Sequence, residues 1–320
     1  MLRKILQSKI IAFILSIKIV SKFILKNSTI IVVYHGVSYK EPFFHKKFDL
    51  NVKPNLFENQ IRWLKNNFNI ISPIDLLNKN YKKPAAMITF DDGDKSYIKT
   101  AVPILKKHNI PSIMFLNMDV VGGSLSWAGI STYLTDISKE FRKYLKIKKY
   151  NSINFLELDK NQANNFLSGS NKNSILKKIK KYTGNFLSVD DLKKLDQSNL
   201  VFFGNHLYNH YNVINLNYKD LKKQYLMNQN QIRKYKNNTK FFAYPFGQKD
   251  TCYNLKTNKI LFKLGANAIF SNNPLNFITS RNFFHRIPMG PRFNKNNSLI
   301  SHLVLIRFKQ LFYWNFFSEY

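Results

Sequence analysis

Cysteine is almost absent from this chain: Cys252 stands alone among 320 residues, so no intrachain disulfide can form and no cysteine cluster can hold a metal. That fits a reducing compartment and leaves histidine and carboxylates as the metal ligands on offer. Acidic residues are scarce too, 18 against 50 lysines and arginines, for a formal charge of +32. Within the basic set arginine is the rare member, with 8 arginines to 42 lysines. Base-edge and phosphate readout leans on the bidentate guanidinium. The lysines are also dispersed among Asn and Ile, as at Lys106, Lys107, Lys177, Lys178, Lys180 and Lys181, which is the pattern of solvated surface. No specific nucleic-acid partner is expected. Long apolar runs are missing from the start of the chain, where the longest uncharged stretch, Ile10 to Ile17, falls far short of the ~20 residues that span a bilayer. No small-residue cleavage pattern follows it.

What the first 28 residues do contain is a stripe of Lys18, Lys22 and Lys26 at helical spacing, with Ile14, Ile17, Phe23 and Leu25 supplying apolar surface. Residues 1–28 are expected to form a basic amphipathic helix, either lying on an anionic membrane face or packed on the domain. With 44% hydrophobic and 15% aromatic residues, the rest can bury a large core. Short apolar runs at Thr29 to Val33, Ala86 to Phe90, Ser112 to Leu116, Val201 to Gly204, Phe241 to Tyr244 and Ala268 to Ser271 read as buried strands. Helical patterns lie between them: Phe57, Ile61 and Leu64, then Tyr97 to His108, then a helix opened by Ser188 and Asp191. This alternation predicts an α/β fold, a (β/α) barrel or a doubly wound sheet, over about residues 29–298. Residues 126–187 break the rhythm and read as a helical insertion over one rim. Residues 299–320, with Phe308, Leu311, Phe312, Trp314, Phe316 and Phe317, read as an apolar, aromatic terminal helix that adds to the core.

Four of the predicted strands end in residues able to do chemistry: Tyr34-His35-Gly36, Asp91-Asp92-Gly93, Asn205-His206 through His210, and Pro245-Phe246-Gly247. Strand ends at one mouth of a barrel would gather them into one pocket. Adjacent carboxylates repel unless a cation intervenes. His206 and His210, four apart, together with one of the two aspartates supply the His, His, carboxylate set of a hydrolytic metal site, most suitably zinc.

These motifs resemble the polysaccharide deacetylase family, carbohydrate esterase family 4, which carries the chitooligosaccharide deacetylase (NodB) homology domain. Thr89-Phe90-Asp91-Asp92-Gly93 matches its first motif, and His206 to His210 its histidine motif; the resemblance runs from Tyr34-His35 to about Pro288. It implies a distorted (β/α) barrel and metal-dependent removal of an acyl group, usually N-acetyl from an amino sugar. By the resemblance Asp91 is the general base, Asp92, His206 and His210 hold one divalent ion, and the backbone N–H of Phe246 steadies the developing oxyanion. This sequence departs from the family at Leu207, where Ser or Thr is common, and at Ala243, where many members place an arginine beside the catalytic aspartate. Arg286 is the expected substitute. His35 and His285 are the candidates to protonate the leaving amine, with Leu299 to His302 a match in letters only. The substrate expected is an amino-sugar glycan or lipid-linked glycan of a bacterial envelope, carrying acetyl or formyl, and the location cytoplasmic and peripheral to the inner membrane. A sugar-binding protein with altered catalysis and a basic nucleic-acid-binding protein are the alternatives.

Overall fold

A computed structural model describes residues 18–145, 160–168, 172–272, 282–291, 293, 303, 304 and 306. Each apolar run predicted as a strand is one: β1 is Thr29–Tyr34 and β5 is Ala85–Asp91, followed by β6 (Ser112–Leu116), β7 (Val201–Asn205), β8 (Asn238–Ala243) and β9 (Ala268–Ser271). Short strands complete the set: β2 (Gly36–Val37), β3 (Asn51–Val52), β4 (Asn69–Ile70), β10 (Phe283–His285) and β11 (Ile287–Pro288). All pairings between these strands are parallel, and the main sheet runs β10-β9-β8-β7-β6-β5-β1-β11, with β4 beside β5.

The two edge strands of that order, β10 and β11, are consecutive in the chain and separated only by Arg286. Phe283 to His285 pair with β9, and Ile287 and Pro288 pair with β1. The backbone N–H of Arg286 donates to Ser271 at 2.8 Å and that of Met289 to Val33 at 2.9 Å. One six-residue stretch therefore spans both edges and closes the sheet into a barrel, the arrangement that leaves fewest edge groups unpaired.

Strand alternation then sorts the side chains. Ile31, Met87, Ile113, Phe115, Phe241 and Phe270 fill the barrel. Val32, Tyr34, Ile88, Phe90, Met114 and Phe203 point outward and are covered in part by the helices Pro54–Asn67 and Val102–Lys107, through residues such as Phe57, Ile61, Leu64 and Leu105. The helix predicted over Tyr97 to His108 forms in two parts, a π-turn at Tyr97–Ala101 and an α-helix at Val102–Lys107. Pro103 has no N–H to return to Lys99, and the ladder changes register there. Ser188 and Asp191 make the predicted reciprocal cap.

The 126–187 region supplies the helices Trp127–Thr132, Lys139–Tyr144, Lys160–Leu167 and Lys172–Thr183, which bury a separate core of Tyr133, Leu134, Phe141, Ile179 and Tyr182 with Phe44. Its end returns to the sheet beside the Asp-Asp-Gly turn, where the N–H of Leu187 donates to Gly93 at 2.7 Å. Of the terminal elements, Lys18–Leu25 is helical, with Leu25 buried in the main core and Phe23 80% exposed. Leu303, Val304 and Ile306 are buried in the same core. Residues 1–17, His302 and residues 307–320 lie outside the described set. Among the described residues no helix is long and apolar enough to cross a membrane.

Candidate active site

Asp91 is the last residue of β5, and the inward parity of Thr89 and Asp91 turns both toward the barrel axis at its carboxyl end. Arg286 is inward at the closing stretch. Its Nη1 and Nη2 donate to the two Asp91 oxygens at 2.6 and 2.7 Å, Nη1 also reaches Thr89 Oγ1 at 3.3 Å, and Nε donates to Asn272 Oδ1 at 3.0 Å. Both side chains are almost wholly buried. Burial alone would raise the Asp91 pKa; the guanidinium, with His206 and His35 nearby, more than offsets that and holds the carboxyl below its ordinary range. Ala243, at the end of β8, is fully buried and brings only a methyl group to that wall. The arginine has thus reached the aspartate from the strand that closes the barrel.

Asp92 lies one residue further on and faces the other way. Its φ is 70°, in the left-handed region, followed by Gly93 at 77°, and this turn swings the Asp92 carboxylate out of the sheet and toward the histidines. His206 Nε2 lies 3.5 Å and His210 Nε2 3.2 Å from Asp92 Oδ1, while His206 Nε2 is 3.8 Å from Asp91 Oδ2. Asp92 Oδ1 and His210 Nδ1 are buried atoms without a hydrogen bond. Leaving such an atom unpaired costs about 1–3 kcal/mol, so the arrangement calls for a further partner.

The histidine segment is a turn rather than a helix: Leu207 (φ 59°) and His210 (φ 54°) are both left-handed, which brings two side chains four residues apart onto one point, their rings 4.7 Å apart. Buried asparagines hold this turn. Asn117 donates to the carbonyls of His206 and Leu207, the latter at 2.8 Å; Asn205 Oδ1 accepts from Leu207 N at 3.0 Å; Asn228 donates to Asn205 Oδ1 and to the Leu116 carbonyl, both at 2.7 Å. Leu207 itself packs in an outer apolar cluster. Asn117 and Asn228 are the residues that sequence reasoning missed. Asn117 directly follows a predicted strand, a position that would have suggested it; Asn228 sits in the helix Tyr218–Ile232 and carries no local signal.

A metal fits this donor set. The ligand atoms of Asp92, His206 and His210 all lie within 4.8 Å of one another. His206 Nδ1 is 2.8 Å from the Ala243 carbonyl, which can only accept, so the proton sits on Nδ1 and the Nε2 lone pair is directed at the site.

The remaining predicted residues divide. His35, just after β1, has Nε2 4.0 Å from Asp92 Oδ2, and burial lowers its pKa. It lines a cavity of about 470 Å³ together with Asp91, Asp92, His206, His210 and Phe246. Phe246 is left-handed (φ 61°) and sets its ring edge-on to His210 at 4.7 Å. His285 is placed elsewhere. Neighbours on a strand point to opposite faces, so with Arg286 inward His285 is outward, where its Nδ1 meets Ser271 Oγ at 2.7 Å and its ring packs on Phe283. It is not among the residues lining the cavity. Leu299 and His302 lie outside the described residues.

A sequence profile described as polysaccharide deacetylase matches residues 78–269. The chain belongs to the polysaccharide deacetylase family. Solved structures share the fold at low identity. The Streptococcus pyogenes deacetylase PplD, in complex with acetate, is 19% identical with a TM-score of 0.55, over 86% of this chain and 98% of its own. IcaB from Ammonifex degensii is 18% identical with a TM-score of 0.56, over 87% and 97%. A de-N-acetylase from Aggregatibacter actinomycetemcomitans is 18% identical with a TM-score of 0.53, over 85% and 99%. No match was found among curated protein sequences. Family membership places this deacetylase-type hydrolase on the distorted (β/α) barrel expected from its motifs.

Proposed function

We propose that this polysaccharide deacetylase family member is a metal-dependent enzyme that removes an N-acetyl group from an amino sugar of a bacterial envelope glycan. The observation that carries this reading is the contrast at one cavity wall: three convergent ligand atoms with an unpaired buried oxygen at Asp92, beside a carboxylate, Asp91, already fixed by Arg286. Asp92, His206 and His210 would hold one divalent ion, zinc by the chemistry of the donor set. When bound, such an ion polarises water and an amide carbonyl as a Lewis acid.

The protein's own groups do the rest. Asp91, ionised because Arg286 favours its charged form, takes a proton from the attacking water as general base. Arg286 keeps that carboxylate in one orientation through two parallel hydrogen bonds. His35 lines the same cavity with its Nε2 4.0 Å from Asp92 Oδ2; since burial favours its neutral form, it would first take up a proton in the reaction and then hand it to the departing amine. The N–H of Phe246 supplies the dipole for the oxygen that gains charge. Phe44, Phe48 and Leu50 also line the cavity and give it an apolar wall.

The test is release of acetate from N-acetylglucosamine oligomers by the purified full chain, before and after chelation and after zinc is restored. Acetate release that survives complete metal removal, or no release from any amino-sugar oligomer or lipid-linked acetamido sugar, would overturn the reading. A cytoplasmic location peripheral to an anionic membrane is part of the same proposal, supported by the exposed Phe23 between the exposed Lys22 and Lys26. Flotation with anionic liposomes of the full chain against a truncation beginning at Thr29 checks it; equal flotation of both forms would remove the membrane from the account.

A further inference from the structure

The two ends of the barrel carry different charge. Its strands are parallel, so Asp91 and His35 stand at the end where the cavity opens, and Thr29, Ala85 and Asn238 begin strands at the other. Turns at the cavity end mix acids with their bases, as at Asp94 beside Lys95 and Asp250 beside Lys249. At the amino-terminal end, the turns into β5 and β8 carry bases alone: Lys79, Lys82 and Lys83 in the first, Arg233, Lys234 and Lys236 in the second, all exposed. Asp75 and Asp196, beside these turns, have their carboxylates tied to the backbone N–H of Ser72 at 2.9 Å and to those of Lys236 and Asn237 at 3.0 Å.

Exposed apolar side chains stand at the same end. The helix Pro73–Asn78 plugs the floor of the barrel: Leu76 is buried with Ile31 and Met87 of the barrel interior, while Ile74 and Leu77 are 54% and 39% exposed. That helix runs straight into Lys79, Lys82 and Lys83. The helix Lys18–Leu25, which leads into β1, adds the exposed Lys22, Phe23 and Lys26. Lysines set around exposed aliphatic and aromatic side chains match a surface of anionic headgroups over hydrocarbon. Nucleic-acid phosphates would engage the lysines and offer nothing to Ile74 and Leu77.

We propose, resting on the membrane part of the reading above, that the whole amino-terminal face of the barrel docks on an anionic lipid bilayer, so that the catalytic cavity opens on the far side, away from the lipid. The membrane contact thereby grows from one helix to a face, and the enzyme has a fixed orientation. Strands of the length of β1 and β5 rise about 20 Å. The cavity then stands at least about that far above the lipid, within reach of a glycan chain that extends into water and out of reach of a sugar held among the headgroups.

The test is co-sedimentation of the full chain with phosphatidylcholine vesicles that contain or lack phosphatidylglycerol. The triple change Lys79→Gln, Lys82→Gln, Lys83→Gln should weaken binding to the anionic vesicles at least about tenfold. The same loss of charge at the cavity end, through Lys40→Gln, Lys46→Gln and Lys249→Gln, should change it by less than about twofold, because those positions lie beyond a screening length from the lipid. All six lysines are exposed, so both variants should fold. Orientation is read with a polarity-sensitive dye: on Leu77→Cys its emission should shift to the blue on anionic vesicles, and on Tyr39→Cys, exposed at the cavity end, it should not. Cys252 is buried and stays unlabelled. Equal losses from the two lysine sets, a shift at Tyr39 and none at Leu77, or binding of duplex DNA with no binding of vesicles would overturn the docking face. Vesicle binding that is lost on truncation to Thr29 but indifferent to both lysine sets keeps the helix and overturns the face. Acetate release is scored separately, and its failure would overturn the deacetylase reading alone.

Discussion

Asp91 and Asp92 are consecutive in the chain and opposite in circumstance. On the Asp91 side the barrel presents a finished ion pair, with both oxygens bonded to a guanidinium that also donates to Thr89 and Asn272. On the Asp92 side the same mouth presents an unfinished cluster, where two imidazoles close on an oxygen that bonds to nothing. The cause of the difference is one backbone angle. Extended backbone at Asp91 keeps its side chain in the barrel, and the left-handed φ of Asp92 ejects its neighbour toward the histidine turn. Two carboxylates with identical intrinsic acidity thereby acquire separate surroundings, one paired with a guanidinium and one facing two imidazoles, where the proposed function places the ion.

The largest expected effect breaks the unfinished side. His206→Ala with His210→Ala should leave no stoichiometric metal by elemental analysis and reduce acetate release to background; equal metal content in variant and wild type would show that the ion lies elsewhere. Next comes the finished side. Asp91→Asn should cost about 10²- to 10⁴-fold in kcat, as loss of a general base does, while metal content stays at the wild-type value. Loss of metal in that variant would mean that the two aspartates have exchanged roles.

A third prediction asks whether the ion pair is as self-contained as it looks. Arg286→Met leaves a buried carboxylate alone and should destabilise the fold by about 3–5 kcal/mol in denaturant unfolding. Adding Asp91→Asn should recover part of that loss, since the stranded charge is then gone. Strictly additive losses would show that Arg286 acts through the seam and not through Asp91.

The smallest effect separates the inward from the outward face of the closing stretch. Burial, with a smaller contribution from Lys249, holds the His285 imidazole at about 4, below its ordinary 6.5. As pH falls the unfolded chain takes up this proton first, so the His285 share of stability is intact above about 6.5 and drains away toward pH 4. The loss is at most about 3 kcal/mol, and His285→Gln should flatten the stability profile within that window. Asp91, whose folded pKa lies below its ordinary 3.8, also loses its contribution on acidification, but starting near pH 4 and continuing below it. An unchanged slope between pH 6.5 and 4 in His285→Gln would assign the acid sensitivity to other groups.

Much of this was legible from the residues because strands and motifs announce themselves locally. Buried runs such as Ser112 to Leu116 are bounded by turn residues, and Asp91-Asp92-Gly93 sits where a barrel strand must end. Legibility failed where the determinant was non-local. Nothing near Phe283 to Pro288 says that three residues will pair with β9 and the next ones with β1. The period of two was available, however, and it already forbids His285 and Arg286 from facing the same cavity. The turn at His206 to His210 was readable as a pair of ligands but not as left-handed backbone, because its support comes from Asn117 and Asn228, which lie 89 and 22 residues from His206 in the chain. The π-turn before Pro103 is a smaller instance, a helix that pattern predicts and a missing N–H divides.

The closing stretch has one more consequence, for how the molecule wears out. The segment that pairs with β9 at one end and β1 at the other also carries the guanidinium that clamps Asp91, so seam and clamp must release together. Local openings cost less than complete unfolding. An opening here would leave β5 through β8, and with them Asp92, His206 and His210, in place. Such a species would keep the Asp92, His206 and His210 set and most of its sheet while losing the clamp on Asp91. On heating, loss of activity is then expected to follow the rate at which this one seam unzips, ahead of the temperature at which the barrel melts.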